Sequence, residues 1–154
     1  MSVTVASALP NVHVMARWRD PELSMGRERL RRLAGHRAAF EAPGFSFGEW
    51  VRPFTDVDGA IHVGWFEPSE AAEAFLADAR AFVTVFDWPT WAASDEGRAL
   101  LEGPAAVASA SDEDLAKLLT TFIRSERFGD GTLESAFKRG MLTAIVRRAA
   151  VLAG

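Results

Sequence analysis

The sequence predicts a mainly α-helical protein, a compact single-domain helical bundle with a small β-hairpin around residues 49–66. Its 154 residues fit one domain better than two. Apolar residues recur at steps of three and four along most of the chain, which is the spacing of one buried helix face. A strand-like pattern occurs in only one short stretch, rich in Gly, Pro and aromatic residues.

The N-terminal part of the chain is predicted to change from a loose arm to a helix. Residues 1–19 have no clean period and are expected to form the arm, before one helical domain over residues 20–154. Asp20 precedes Pro21, and this pair favours a helix start because Asp caps the helix and Pro at the first position loses no needed N–H. This first helix is predicted to run to about Phe40, although Gly26 and Gly35 weaken it.

The hairpin is predicted from two strand-like runs, residues 50–54 and 60–66, on either side of Asp58-Gly59. The Asp-Gly pair is a strong signal for a tight hairpin turn because glycine accepts a positive φ at no steric cost. Pro53 cannot donate a ladder hydrogen bond, so its strand is expected at an edge.

Helices are predicted for the rest of the chain. Apolar residues recur at helical spacing from Ala71 to Val83, and Asp87 is expected to cap a short helix that contains Trp91. A further helical piece covers about residues 96–101. Ser111 and Asp114 have near-capping-box spacing, and Gly129 is expected to end the helix that they open. The last two helices are predicted from Thr132, as a cap, to Arg139, and after Gly140.

Composition excludes several kinds of chemistry. The chain has no cysteine, which excludes thiolate catalysis, Cys-ligated zinc, iron–sulfur clusters and disulfides. None of the three histidines lies three or four residues from another, so we predict no metal site and no cofactor. No apolar run approaches the roughly 18 residues of a membrane span. The N-terminus lacks the pattern of a secretory signal, so a cytoplasmic location is expected.

Charge is distributed unevenly along the chain. Residues 1–52 carry a net charge of +3, residues 53–123 carry −10, and residues 124–154 carry +3. The basic ends either fold against the acidic middle or meet an anionic partner. The overall charge of −4 argues against general nucleic-acid binding, so contact through Arg27–Arg37 and Arg147–Arg148 is the weakest alternative.

Two segments supply the candidate ligand-binding residues. The first contains a carboxylate between aromatic rings, and the second brings guanidiniums to a helix end; together they give Asp87, Trp88, Trp91, Arg124, Glu126, Arg127, Phe128 and Asp130. If the segments meet, Asp87 or Asp130 can hold Arg127 or Arg124 in a bidentate pair beside a Trp face. Such a pair serves either as a structural clamp or as part of a site for a small anionic ligand.

The same segments resemble a bacterial family of unknown function. The resemblance is carried by FDWPTW, GRALLEGP and the long stretch DLAKLLTTFIRSERFGDGTLESAFKRGMLTAIVRR, and it covers the chain from about Phe40 to the C-terminus. Asp130 stands where the family commonly has Glu, and Lys138-Arg139 stands where an acidic or small pair is common. The resemblance implies a compact domain and brings no activity with it.

Two classes of function therefore remain open. The first is a non-catalytic binding or interaction domain, favoured because the chain has no thiol, metal spacing, phosphate loop or nucleophile–base pair. The alternative is a small enzyme or a binding protein for an anionic small molecule, with Asp87, Glu126 or Asp130 as acid and base and with Arg124 and Arg127 on the substrate. A protein partner and a small anionic ligand both remain candidates.

Overall fold

A computed structural model describes the backbone of residues 21–154 and the side chains from Gly26 onward. The predicted N-terminal arm, residues 1–19, lies outside the described residues. The predicted fold class is confirmed: the described chain is mainly helical, with two small antiparallel sheets of two strands each. No helix in this part of the chain is both long and apolar enough to cross a bilayer.

The elements follow one another through short connections. The first helices are α1 and α2, the strands β1–β4 come next, and the later helices alternate with turns. Their bounds are α1 Pro21–Ala34, α2 Arg37–Phe40, β1 Gly48–Val51, β2 Phe54–Thr55, β3 Ile61–His62, β4 Trp65–Pro68, α3 Glu70–Ala79, a 3-10 turn Arg80–Phe82, α4 Trp88–Ala93, α5 Asp95–Leu101, α6 Pro104–Val107, α7 Asp112–Glu126, α8 Thr132–Lys138 and α9 Met141–Ala153.

The core lies between the long helices. The C-terminal helix α9 packs against α1, α6 and α8, and α7 packs against the 3-10 turn, α4 and α8. Leu115, Leu118 and Leu119 on α7 and Ile145 on α9 are fully buried. Their spacing of three and four residues places them on one face of each helix, which is why these segments fold as amphipathic helices.

The first predicted helix is wrong in its extent. A single helix was expected to reach about Phe40, but α1 ends at Ala34 and α2 starts at Arg37. The break lies at Gly35 and His36. The Gly35 amide is shared between the carbonyls of Arg31 and Arg32, and the His36 amide donates to the carbonyl of Leu33, only three residues back. Glycine has the largest backbone entropy to lose in a helix, so it favours a break at this point.

The hairpin prediction is confirmed, and the structure adds its register. Strand β1 pairs with β4, with Glu49 opposite Glu67 and Trp50 opposite Phe66. Strand β2 pairs with β3 further out, and Gly59 takes a φ of +84° in the turn. The carboxylate of Asp56 accepts hydrogen bonds from the amides of Asp58 and Ala60 across this turn.

Side-chain caps fix the starts of two predicted helices. Asp87 caps α4 by accepting from the amide of Thr90, and Ser111 forms a complete capping box with Asp114 at the start of α7. The predicted cap of α8 is wrong: Gly131 is its N-cap residue, and the Thr132 hydroxyl donates to the carbonyl of Gly129 instead.

Candidate functional site

A cavity of about 350 Å³ lies where the hairpin base meets α3 and the C-terminal end of α7. Its lining combines apolar side chains from the core with charged side chains at the rim of the helices. The apolar residues are Phe47, Phe66, Pro68, Leu76, Ile123 and Leu133, and the charged residues are Glu73, Arg80, Glu126, Arg127 and Asp130. Concave sites with an apolar surface and a few polar groups are typical of small-molecule binding.

Glu126 is held by the start of α8. Its Oε1 atom accepts from the amide of Gly131 at 2.9 Å, and its Oε2 atom accepts from the amide of Leu133 at 2.8 Å. These amides belong to the first turn of α8, where N–H groups lack helical partners and the helix dipole favours a negative charge. Glu126, rather than the predicted Thr132, therefore caps the start of α8, and it links the end of α7 to that helix.

The loop between α7 and α8 also holds the base of the hairpin. The Oδ2 atom of Asp130 lies 3.4 Å from the amide of Phe66 on β4. The indole N–H of Trp50 on β1 donates to Glu134 on α8 at 2.6 Å. Gly131 has a φ of +96°, and a Cβ atom there would lie only 2.7 Å from the Trp50 ring. The hairpin base and this loop are therefore in close contact.

Two guanidiniums line the cavity without an internal partner. Arg80 comes from the 3-10 turn after α3, and Arg127 follows the last residue of α7. Both side chains are exposed, and within residues 26–154 neither forms a hydrogen bond or an ion pair. Both carboxylate oxygens of Glu126 accept hydrogen bonds from backbone amides, and neither oxygen forms an ion pair with Arg80 or Arg127.

The two candidate segments meet through aromatic rings. The centroids of Trp88 and Phe128 are 6.3 Å apart with a tilted geometry. Trp88 is half-buried, whereas Phe128 is 84 % exposed. Phe128 follows Arg127 in the chain, so an exposed ring lies next in sequence to a cavity arginine. Arg124 is half-buried one turn earlier on α7.

Asp87 and Trp91 do not line the cavity, and their contacts hold the short helix α4 in place. The carboxylate of Asp87 accepts from the amide and the hydroxyl of Thr90 at the start of α4. Trp91 is buried and packs edge-on against Phe86. Its carbonyl group lies against Gly97, where even a Cβ atom would clash. Among the described residues, no ion pair joins Asp87 or Asp130 to Arg124 or Arg127. The segments therefore meet, but without the ionic clamp that the sequence analysis considered.

Sequence reasoning missed Arg80 and the apolar part of the cavity. Glu73, Leu76 and Arg80 follow one another at steps of three and four, which places them on one side of α3 and its 3-10 extension. That spacing was a usable signal for a shared surface. Nothing local indicated that this surface lies near Arg127, because the two arginines are 47 positions apart in the chain.

The arginines considered for a nucleic-acid surface are largely engaged with the rest of the chain. Arg29 on α1 forms two hydrogen bonds to Asp112 on α7. Arg37 and Arg147 both contact Glu41, and Arg148 donates to the carbonyl of Ala110. Of these contacts, the pair of Arg29 with Asp112 joins a basic end of the chain to its acidic middle, as the first interpretation of the uneven charge expects. Residues 26–154 contain no cluster of three or more side chains suited to a metal ion.

Comparison with known protein families decides the relationship that the sequence motifs indicated. A family model described as a family of unknown function, DUF6508, matches residues 25–154. The chain belongs to the DUF6508 family. No curated protein and no solved structure matches the chain. The resemblance to a family of unknown function is thereby confirmed, and the DUF6508 match begins nearer the N-terminus than Phe40. It includes every residue that lines the cavity of this DUF6508 protein.

Proposed function

We propose that this DUF6508 protein is a non-catalytic binding domain whose cavity holds a small ligand with an anionic group and an apolar body. The observation that carries this proposal is the placement of Arg80 and Arg127 on one cavity, with no partner for either guanidinium in the described chain. Guanidiniums bind carboxylates and phosphates through two parallel N–H donors, which makes an anionic group the favoured complement.

The rest of the lining favours an apolar body on the same ligand. Pro68 and Ile123 line the cavity and are half-buried, while the buried core residues Phe47, Phe66 and Leu76 lie behind them. Covering the exposed part of Pro68 and Ile123 removes apolar surface from water, which stabilises a complex by about 25 cal/mol per Å². An inorganic anion would leave this surface wet, whereas a carboxylate with an aliphatic tail would use both parts of the cavity.

The carboxylates of the cavity support a binding role over an acid–base role. In the catalytic alternative, Glu126 or Asp130 would exchange a proton with the substrate. Both oxygens of Glu126 instead accept backbone amides, and Asp130 accepts from the amide of Phe66. Both oxygens of Glu126 are thus occupied by the start of α8, and these contacts favour a structural role for this carboxylate.

The test uses octanoate as the anionic probe and octylammonium as a probe with the same tail and the opposite charge. Isothermal titration calorimetry and amide NMR shifts are expected to show saturable octanoate binding near Arg80 and Arg127. Replacing both residues in Arg80→Gln/Arg127→Gln is expected to weaken octanoate by about tenfold or more, since a hydrogen bond to a charged group contributes about 1.5–3 kcal/mol.

The matched control is Arg98→Gln, which removes an exposed arginine on α5 outside the cavity lining. Its octanoate affinity is expected to equal that of the unchanged protein. Octylammonium that binds as well as octanoate, or octanoate that binds the double variant with undiminished affinity, would contradict the proposal.

A further inference from the structure

The hairpin over residues 48–68 exposes apolar side chains to solvent. Ile61 is 79 % exposed and Val63 is 78 % exposed, while Val57 at the turn is fully exposed. Phe54 and Trp65, whose rings lie 6.3 Å apart, are also exposed. Contiguous exposed apolar surface on a folded protein commonly marks an interaction site.

Contacts at the base and at the tip of the hairpin fix its shape in the free protein. At the base, Phe66 is buried and the Trp50 indole is bonded to Glu134. At the tip, Asp56 accepts from two turn amides and contacts His62 at 2.8 Å. The ring of His62 stacks on Phe54 with centroids 4.5 Å apart. A preorganised hairpin loses less conformational entropy on docking than a flexible loop.

The register of β1 and β4 places two like charges directly opposite each other. Glu49 faces Glu67, both are exposed, and neither contacts a cation within the part of the chain that the structure describes. Like charges directly opposite each other destabilise a pair of strands. The next pair on the same face is Val51 with Trp65, because side chains alternate along a strand. The outer face of the hairpin is therefore both acidic and apolar.

We infer that the outer face of this hairpin docks a protein segment that combines basic and apolar side chains. The hairpin carries four carboxylates, Glu49, Asp56, Asp58 and Glu67, against one arginine, Arg52. A lysine or arginine between Glu49 and Glu67 would relieve their repulsion, and the indole of Trp65 offers a cation–π face beside them. The apolar side chains of the segment would continue along the hairpin to the exposed Ile61 and Val63, which lie four and two residues before Trp65.

The negative charge of the hairpin favours a basic protein segment over a second copy of the chain or an anionic lipid surface. A second copy of the chain docked face to face through the hairpin would bring two Glu49–Glu67 pairs together, and like charges at an interface oppose association. An anionic lipid surface is repelled for the same reason. The cavity is a separate site, because it is lined by Phe66 of the inner face and by none of the outer-face residues.

The experiment measures fluorescence anisotropy with a labelled eight-residue peptide of alternating lysine and leucine. A glutamate–leucine peptide and a lysine–glycine peptide serve as comparisons for charge and apolarity. The lysine–leucine peptide is expected to bind best, with affinity that falls as salt is added. Glu49→Gln/Glu67→Gln is expected to weaken it about fivefold or more, and Ile61→Ser is expected to weaken it similarly.

A matched control, Glu70→Gln/Glu102→Gln, removes the same charge from exposed glutamates outside the hairpin and is expected to bind the peptide normally. A second readout separates docking from structure: Glu49→Gln/Glu67→Gln is expected to raise the thermal midpoint of the free protein while it weakens the peptide. Octanoate affinity is expected to stay unchanged in this variant.

Three outcomes would overturn the inference. The first is equal peptide binding by all variants, and the second is concentration-dependent dimerisation that Ile61→Ser abolishes. The third is Ile61-dependent binding to phosphatidylserine vesicles with no binding of the peptide.

Discussion

Ile145 on α9 and Ile61 on β3 are the same residue type in two regions of the molecule, the first fully buried and the second 79 % exposed. Charged residues differ in the same way. In the helical body, Arg29 is bonded to Asp112 on a different helix, whereas in the hairpin Glu49 faces Glu67. In the body, Ile145 and Arg29 are thus covered or paired, whereas in the hairpin Ile61 is exposed and Glu49 and Glu67 have no cationic partner within the described residues. We therefore expect the body to provide most of the free energy of unfolding, and the exposed hairpin surface is the part that we propose contacts another molecule.

The sharpest test of the contrast compares one substitution in both regions. Ile145→Ala is expected to lower the free energy of unfolding by about 2–5 kcal/mol because it leaves a cavity in the core. Ile61→Ala is expected to change it by less than about 0.5 kcal/mol, as at other exposed positions. Urea unfolding followed by circular dichroism measures both. Equal losses would show that the hairpin contributes to the common core.

The junction of the two regions gives an intermediate effect. Glu126→Gln replaces one acceptor oxygen by an NH₂ group that faces a backbone amide, so one N–H at the start of α8 loses its partner. We expect a loss of about 1–3 kcal/mol in the free energy of unfolding. Glu102→Gln, at an exposed glutamate with no bonded partner in the described chain, is the control and should change little. An unchanged stability for Glu126→Gln would refute the structural role of this carboxylate.

The smallest effect concerns the hairpin tip in acid. The hydrogen bond from His62, followed by that from the Ala60 amide, holds the pKa of Asp56 below its usual value of 3.8. A carboxyl group with a lowered folded-state pKa contributes stability above its unfolded pKa and loses it as the pH falls through the folded pKa. We therefore expect the amide NMR signals of Asp58 and Ala60 to shift with a midpoint below pH 3.8.

Asp56→Asn is the control for this titration, because it removes the ionisable group while keeping an acceptor oxygen for the turn. The acid-dependent shift of the two tip amides should disappear in this variant. A midpoint at or above pH 3.8 in the unchanged protein would contradict the assigned contacts.

Local signals made much of the fold predictable. Asp87 and Ser111 were identified as caps because capping is decided within three or four residues of the chain. The hairpin was predicted for the same reason, since Asp58-Gly59 fixes its turn locally. The short helix α6, which begins at Pro104, was missed because four residues are too few to show a period.

The candidate site was less predictable because its contacts join distant parts of the chain. Arg127 was selected from its segment, but its neighbour across the cavity, Arg80, depends on how α3 packs near the end of α7. The role of Glu126 depends on a loop that turns back so that Gly131 and Leu133 present their amides to it. No pairwise spacing in the sequence encodes that turn.

Position 131 shows how much can depend on a missing side chain. The Trp50 ring lies where a methyl group on Gly131 would project, and the same residue gives its amide to Glu126. An alanine here could fit only if the indole moved, and the N–H that Trp50 donates to Glu134 would move with it. A side chain at position 131 would therefore disturb two contacts together. One is the hydrogen bond from Trp50 to Glu134 at the base of the hairpin, and the other is the hydrogen bond from the Gly131 amide to Glu126 at the start of α8.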